Sequence, residues 1–266
     1  YFFMTIEDKV IIGKKGEILP KKPLRDFAGF KPGDEVLIEA YKGQLIIIMG
    51  VSGSGKSTLL HLVGGIDSPT AGTILSCNHV ITDLPEHELA EYRKKDVGFI
   101  FQFENLSPIL TAKENIELPM RMLGTPREER KKRSNELLSW LNMESRADHP
   151  PHALSGGERQ RIATLVALAN DPELILADEP TGELDSENSN LLAQLLKNMN
   201  IDFGKTILLV THNPEVAHIG EKVLEMRDGE IRGEMQPQVF ALFCSKCQKE
   251  SKRTVNFCST CGTLIN

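Results

Sequence analysis

The chain has 266 residues, enough for one large domain or a medium domain with small appendages. Apolar residues at 40% and charged residues at 26% are the proportions of a soluble globular protein. A formal net charge of −6 gives no overall pull toward nucleic acid or an anionic membrane surface, and no apolar run reaches the roughly 18 residues of a membrane-spanning helix. Tyr1-Phe2-Phe3-Met4 lacks the charged start and long apolar core of a secretion signal, and Met4 reads as a start, with the three residues before it an extension or a fragment edge.

In chain order, Val10-Ile11-Ile12 reads as a strand and Gly13-Lys14-Lys15-Gly16 as a turn. Glu17-Ile18-Leu19-Pro20 leads to a short helix candidate from Pro23 to Ala28, and Lys31-Pro32-Gly33-Asp34 is a second turn. Val36–Ala40 and Leu45–Met49 flank Lys42-Gly43 as two strands of a hairpin would. This succession, from Ile12-Gly13 to Asp34-Glu35-Val36, resembles the AbrB/SpoVT swapped-hairpin family of small dimeric DNA-binding modules. The resemblance implies a module over residues 5–43, with DNA as its partner through phosphate contacts from Lys14, Lys15, Lys21, Lys22 and Arg25. The bland alternative is a solvated basic face on a dimerisation or capping module. Leu45–Met49 fits the last strand of such a hairpin, but the loop after it needs it more, so it is assigned to the larger domain.

That loop is Gly50-Val51-Ser52-Gly53-Ser54-Gly55-Lys56-Ser57-Thr58, which fits G-x-x-x-x-G-K-[ST]. An apolar strand runs into it, and Thr58-Leu59-Leu60-His61-Leu62-Val63 leaves it as a helix, the context that separates a phosphate-binding loop from a chance match. Glycines let the backbone wrap closely around a phosphate. Backbone N–H groups at the helix start then face the phosphates, Lys56 adds a full charge, and the Ser57 hydroxyl is a Mg²⁺ ligand.

Further on, Asp67–Gly72 is a turn into a strand Thr73-Ile74-Leu75, and Pro85 to Lys95 reads as a helix. Val97–Phe101 is a buried strand that ends at Gln102. Helices are expected over Ala112–Leu123 and Pro126–Leu141, the second with Leu137, Leu138, Trp140 and Leu141 on its apolar side, closed by Pro150-Pro151. Leu154-Ser155-Gly156-Gly157-Glu158 places a serine and two glycines at a helix start, a second anion site by the same physics as the first. Leu174–Ala177 is an apolar strand that ends in Asp178-Glu179. Thr206–Val210 is another, ending at Thr211-His212, where an open parallel sheet places its ligands.

The stretch Leu154–Ala163 resembles the signature sequence of ABC-type ATPases. Lys56, Gln102, Ser155, Asp178, Glu179 and His212 follow that superfamily's order, and the resemblance covers about residues 44–235. It implies an α/β P-loop NTPase fold with a helical subdomain at about 103–160, and an ATP hydrolase. Asp178, Ser57 and Gln102 would then serve Mg²⁺, and Glu179 would polarise the attacking water. His212 would be the switch histidine, and Asp185, in the D-loop Thr181-Gly182-Glu183-Leu184-Asp185, would speak to the opposite site. Ser155, Gly156, Gly157 and Glu158 would complete the pocket of a second subunit, so two ATP molecules would sit in a head-to-tail homodimer. An adenine-stacking aromatic is expected upstream of the loop, where only Phe27 and Phe30 lie at a suitable distance.

Gly98–Gln102, Leu110–Pro119 and Asp178–Asp185 look like the lipoprotein-release and macrolide-export branch. That likeness implies a separate membrane permease as partner and a place at the cytoplasmic face of the cell membrane. The alternative is a soluble ABC ATPase acting with DNA or a protein assembly. At the end of the chain, Cys244-x-x-Cys247 and Cys258-x-x-Cys261 resemble a zinc ribbon over 241–266. Four thiolates close a tetrahedral Zn²⁺ shell, and redox dithiols are the other reading. Cys77 stands alone and is expected to pack as a small apolar residue.

Overall fold

A computed structural model describes residues 3–8, 36–182, 184–235, 242–243 and 250–251. The chain begins with β1 (Phe3–Asp8) and β2 (Val36–Tyr41), then β3 (Leu45–Met49) and α1 (Lys56–Val63). A small pair, β4 (Leu75–Ser76) and β5 (His79–Val80), precedes α2 (Glu86–Lys95) and β6 (Val97–Ile100). Three helices come next: α3 (Ala112–Met122), α4 (Arg127–Trp140) and α5 (Gly156–Leu168). The second half runs β7 (Leu174–Asp178), α6 (Ser186–Phe203), β8 (Thr206–Thr211), α7 (Pro214–Ala217), β9 (Lys222–Arg227) and β10 (Glu230–Met235). Two short strands, β11 (Leu242–Phe243) and β12 (Glu250–Ser251), pair antiparallel near the end.

Among the described residues the main sheet has the order β10-β9-β3-β8-β7-β6, parallel except for β10 at its edge. The central strands β3, β7 and β8 are nearly pure apolar runs because both faces of a parallel sheet are covered there, whereas β9 and β10 toward one edge carry charged residues such as Glu225, Arg227 and Arg232. In β3 the side chains divide by the two-residue period. Leu45 and Ile47 join Ile175, Ile207 and Leu209 in a core shared with α3–α7, while Ile46 and Ile48 join Leu174, Leu176, Leu208 and Val210 under α1. All four β3 residues are fully buried, each worth about 1.5–3 kcal/mol relative to exposure.

α3 starts at a capping box, in which the Thr111 hydroxyl accepts from Glu114 N and the Glu114 carboxylate accepts from Thr111 N. α4 is charged along most of its length and buries Leu137 and Leu138 as expected. Its end is pinned to the core where the Trp140 ring meets Phe203 edge-on and Trp140 Nε1 donates to Asp202 Oδ2 at 2.9 Å.

Two expectations need correction. Val36–Ala40 and Leu45–Met49 do not form a hairpin: β2 pairs with β1, Val36 opposite Asp8, while β3 lies between β8 and β9. An all-apolar strand stabilises the fold most in the doubly covered centre of the sheet, and Lys42-Gly43 is only a passing turn. The strand expected at Thr73–Leu75 shifts to Leu75–Ser76, because Ile74 instead accepts from Ile81 N. Cys77 and Asn78 make the tight turn there, both at positive φ (47° and 63°), as a two-residue turn between strands requires. Cys77 packs partly buried against the core, and burial pushes its thiol up to about 12. The strand at Val10–Ile12, the helix at Pro23–Ala28, the basic residues Lys14, Lys15, Lys21, Lys22 and Arg25, the aromatics Phe27 and Phe30, and the four cysteines from Cys244 to Cys261 lie outside the described residues.

Candidate active site

The sheet gathers its chemistry at the C-terminal ends of β3, β6, β7 and β8, which carry Gly50, Gln102, Asp178-Glu179 and Thr211-His212. The loop Gly50–Gly55 is held by backbone. Ser54 N donates to Val51 O at 3.2 Å, and Gly229 N donates to Ser54 O at 2.8 Å. At Gly50 a Cβ would lie 2.2 Å from the Met226 carbonyl oxygen, so the loop can rest against β9 only with a glycine there. Gly53 and Gly55 sit at φ 81° and 98°, which lets the N–H groups turn inward before Lys56 opens α1. Val51, Ser52, Gly53 and Thr58 are exposed, while Ser54 and Lys56 are buried.

Lys56 Nζ donates to Gly50 O at 2.9 Å and Val51 O at 3.1 Å, and lies 3.4 Å from Glu179 Oε1. The other Glu179 oxygen, Oε2, accepts from His212 N at 3.1 Å and lies 2.9 Å from His212 Nδ1. Glu179 is thus the bridge between the start of α1 and the end of β8. It sits at φ 44°, a left-handed conformation that is uncommon for a side-chain-bearing residue and aims its carboxylate back over the sheet edge. Ser57 Oγ donates to Asp178 Oδ1 at 2.8 Å, which brings a hydroxyl and a carboxylate oxygen together. Those are hard ligands of the kind Mg²⁺ takes, one or two from protein and the rest from water and substrate phosphate. Among the described residues no cluster of three or more His, Cys, Asp or Glu forms a metal cage.

Gln102 lies against the D-loop: a Cβ on Gly182 would come within 3.1 Å of its Nε2. Asp185 caps α6, its Oδ1 accepting from Asn188 N at 2.8 Å, and Glu183 lies outside the described residues. Gly157 backs onto Asn188, whose Oδ1 would sit 2.7 Å from an added Cβ. Ser155–Glu158 form their own wall of the molecule. Ser155 Oγ accepts from Glu158 N at 3.2 Å, and Glu158 Oε2 accepts from Ser155 N at 2.8 Å, a second capping box. Arg146 Nε donates to Glu158 Oε1 at 2.7 Å, and this guanidinium, with the Ser155 N–H, holds the Glu158 carboxyl down at about 2.

The structure therefore brings together Lys56, Ser57, Asp178, Glu179 and His212, sets Gln102 beside Gly182, and places Ser155–Glu158 in a separate cluster. Sequence reasoning missed His61. It lies one turn along α1 with Nε2 3.9 Å from Asp178 Oδ2 and Nδ1 3.8 Å from Asp67 Oδ2. Its spacing of four after Ser57, one turn on along the same helix face, was the available signal. It also missed Met226 and Gly229, whose backbone supports the phosphate loop from the other end of the chain.

The chain matches the ABC transporter family over residues 34–182. It is 46% identical over 198 residues to an uncharacterised ABC transporter ATP-binding protein of Thermotoga maritima, covering 74% of this chain and 84% of that protein. It is 42% identical over 195 residues to the lipoprotein-releasing system ATP-binding protein LolD of Bacteroides thetaiotaomicron, covering 73% of this chain and 89% of that protein. Among solved structures it is similar to the dimeric post-hydrolysis state of the ATP-binding cassette MJ0796 bound to ADP and Pi. That match has a TM-score of 0.68 and 43% identity, over 77% of this chain and 90% of the other.

Proposed function

The chain belongs to the ABC transporter family, and from that premise we propose that it is the ATP-hydrolysing subunit that drives a separate membrane permease of the lipoprotein-release and macrolide-export class. The observation that carries this reading is the Lys56–Glu179–His212 bridge beside the Ser57–Asp178 contact, all at the C-terminal ends of neighbouring strands within the sheet. In phosphoryl transfer a protein mainly positions groups and neutralises charge. Backbone N–H groups of Gly50–Thr58 and the Lys56 ammonium would hold the β- and γ-phosphates. Ser57 and Asp178, with Gln102, would hold Mg²⁺, which when bound neutralises charge on the phosphate oxygens. A phosphate that reaches Lys56 takes the place of the Glu179 carboxylate, leaving Glu179 to orient water and His212 to donate toward the transferred group.

Ser155–Glu158 and Asp185 stand apart from that bridge, which supports a head-to-tail dimer: the helix start of one copy closes the ATP site of another. The solved relative's dimeric state with ADP and Pi supports a dimer. A groove of about 440 Å³, lined by Phe99, Phe101, Asn105, Pro119, Met122 and Val166, lies between the sheet edge and the helical region. Its rings stack at 5.5 Å, and nearby Phe103, Ile109 and Met122 are 64%, 88% and 64% exposed, an apolar surface suited to the permease. Among the described residues no helix is long and apolar enough to cross a membrane, so membrane association would come through that partner.

Residues 5–43, 44–235 and 241–266 are proposed as three units. The last would bind structural Zn²⁺ through Cys244, Cys247, Cys258 and Cys261, a reading supported by their spacing. DNA as a partner of the first unit is not favoured, since the relatives that match are transporter subunits by name. Affinity capture from membranes tests the main reading: a co-purifying permease, whose addition stimulates ATP hydrolysis, is the expected result. Charge reversals between Leu106 and Lys113 should abolish that stimulation and leave basal hydrolysis intact. Nucleic acid in place of a permease would overturn the reading.

A further inference from the structure

Gln102 and Ser155 belong to different walls of the protomer. Given the proposed head-to-tail dimer, on which this inference rests, Gln102 answers to the protomer's own ATP and Ser155 to the ATP of the other copy. We propose that Glu104 and Arg159 are a positioning pair that links these walls and makes the two ATP sites cooperative. Glu104 lies two residues beyond Gln102, and its Oε1 accepts from Arg159 Nε at 3.1 Å. Arg159 lies one turn into α5, and its Nη1 donates to the Leu154 carbonyl at 3.0 Å. Leu154 is buried, 5% exposed, and immediately precedes Ser155. A single planar guanidinium therefore holds the Gln102 loop with one limb and the peptide entering Ser155 with another, in a fork whose geometry is fixed.

The surroundings make this contact a strut. A cleft of about 300 Å³, lined by Gln102, Phe103, Glu104, Arg159, Gln160 and Leu184, separates the loop from the start of α5. The Gln160 side chain is buried there, 3% exposed, and its Nε2 donates to no group among the described residues. Side chains do not fill the gap, so a shift of the loop reaches α5 through the ion pair. The pair is partly buried, 28% exposed at Glu104 and 35% at Arg159, and so is less screened than an open surface pair. The far end of the loop is fixed independently. Asn115 Nδ2 donates to the carbonyls of Ser107, Leu110 and Thr111, and its Oδ1 accepts from Ser107 N. Anchored at Asn115, the loop moves at its Gln102–Glu104 end, where the strut attaches.

Coupling of this kind is a free energy shared between two sites, and it shows as a Hill coefficient between one and about two for two sites. The test uses the full chain and its variants E104Q, R159Q and the reversed pair E104R/R159E. Hydrolysis is followed against ATP concentration, first-site ATP binding is measured on dilute monomer, and melting temperature is recorded for each. The expected result is a wild-type Hill coefficient well above one that falls to about one in both single variants. First-site binding and melting should stay unchanged, and the reversed pair, which remakes the ion pair but offers no donor to the Leu154 carbonyl, should stay at about one. If R159Q melts early, R159K, which keeps the charge and loses one limb of the fork, is judged by the same outcomes. Cooperativity that survives in the single variants, or that the reversed pair restores without the bond to Leu154, overturns the link through the fork. A wild-type chain without cooperativity overturns it too. A wild-type chain that binds no ATP overturns the ATPase reading itself, and the link with it.

Discussion

Replacing Glu179 by glutamine separates the two jobs proposed for one carboxylate. Glu179 Oε1 lies 3.4 Å from Lys56 Nζ, and the two side chains are 14% and 5% exposed. At an effective dielectric of about 20 the gross attraction at that distance is roughly 4–5 kcal/mol. Desolvation offsets part of it, and the amide that E179Q introduces keeps a dipole on Lys56, so the charge itself stabilises the ligand-free arrangement by about 1–2 kcal/mol. ATP must displace that charge from Lys56. Removing it should tighten ATP binding by roughly five- to thirtyfold. The same substitution removes the group proposed to orient water, which should slow hydrolysis by about 10²–10⁴-fold. Together these effects accumulate a dimer with ATP at its interface. Equilibrium binding of ATP, single-turnover hydrolysis and the molecular mass of the chain with ATP read the three effects separately. Hydrolysis by E179Q at the wild-type rate would refute the role in catalysis. Unchanged or weaker ATP binding would refute the competition at Lys56.

Gly50→Ala should cost about 1–3 kcal/mol and lower the melting temperature by several degrees, because its Cβ would press on the Met226 carbonyl at 2.2 Å; a thermal melt checks it. Arg146→Gln should release the Glu158 carboxyl toward the ordinary range. With Arg146 in place Glu158 is held at about 2, below its unfolded value, so its contribution is present above roughly pH 4.5 and lost as pH falls toward 2. The melting-temperature difference between wild type and variant should therefore be constant from pH 7 to about 5 and shrink below that. A difference that grows on acidification would contradict the pairing. Protein purified under reducing conditions should carry one zinc per chain, and a chelator should unfold residues 241–266 while the ATPase domain keeps its melting transition. Elemental analysis without zinc would remove that site.

The sequence alone determined what is local. Short-range sterics dictate the phosphate loop: glycines at positive φ, a lysine opening a helix and an apolar strand before it fit few other structures. The same holds for the serine cap before Glu158, for the apolar runs at 45–49, 174–177 and 206–210, and for Leu137 and Leu138 as the buried side of α4. Tertiary structure decided what depends on partners distant in the chain. A strand's neighbours are not written in its own residues, and β3 joined β8 and β9 because that position buries both of its faces. Only folding could bring Glu179 between Lys56 and His212, seat Gly50 on Met226, turn His61 toward Asp178 or stretch Arg159 across to Glu104. Those contacts join residues tens of positions apart or more, and they form because the parallel sheet sets the ends of its strands side by side.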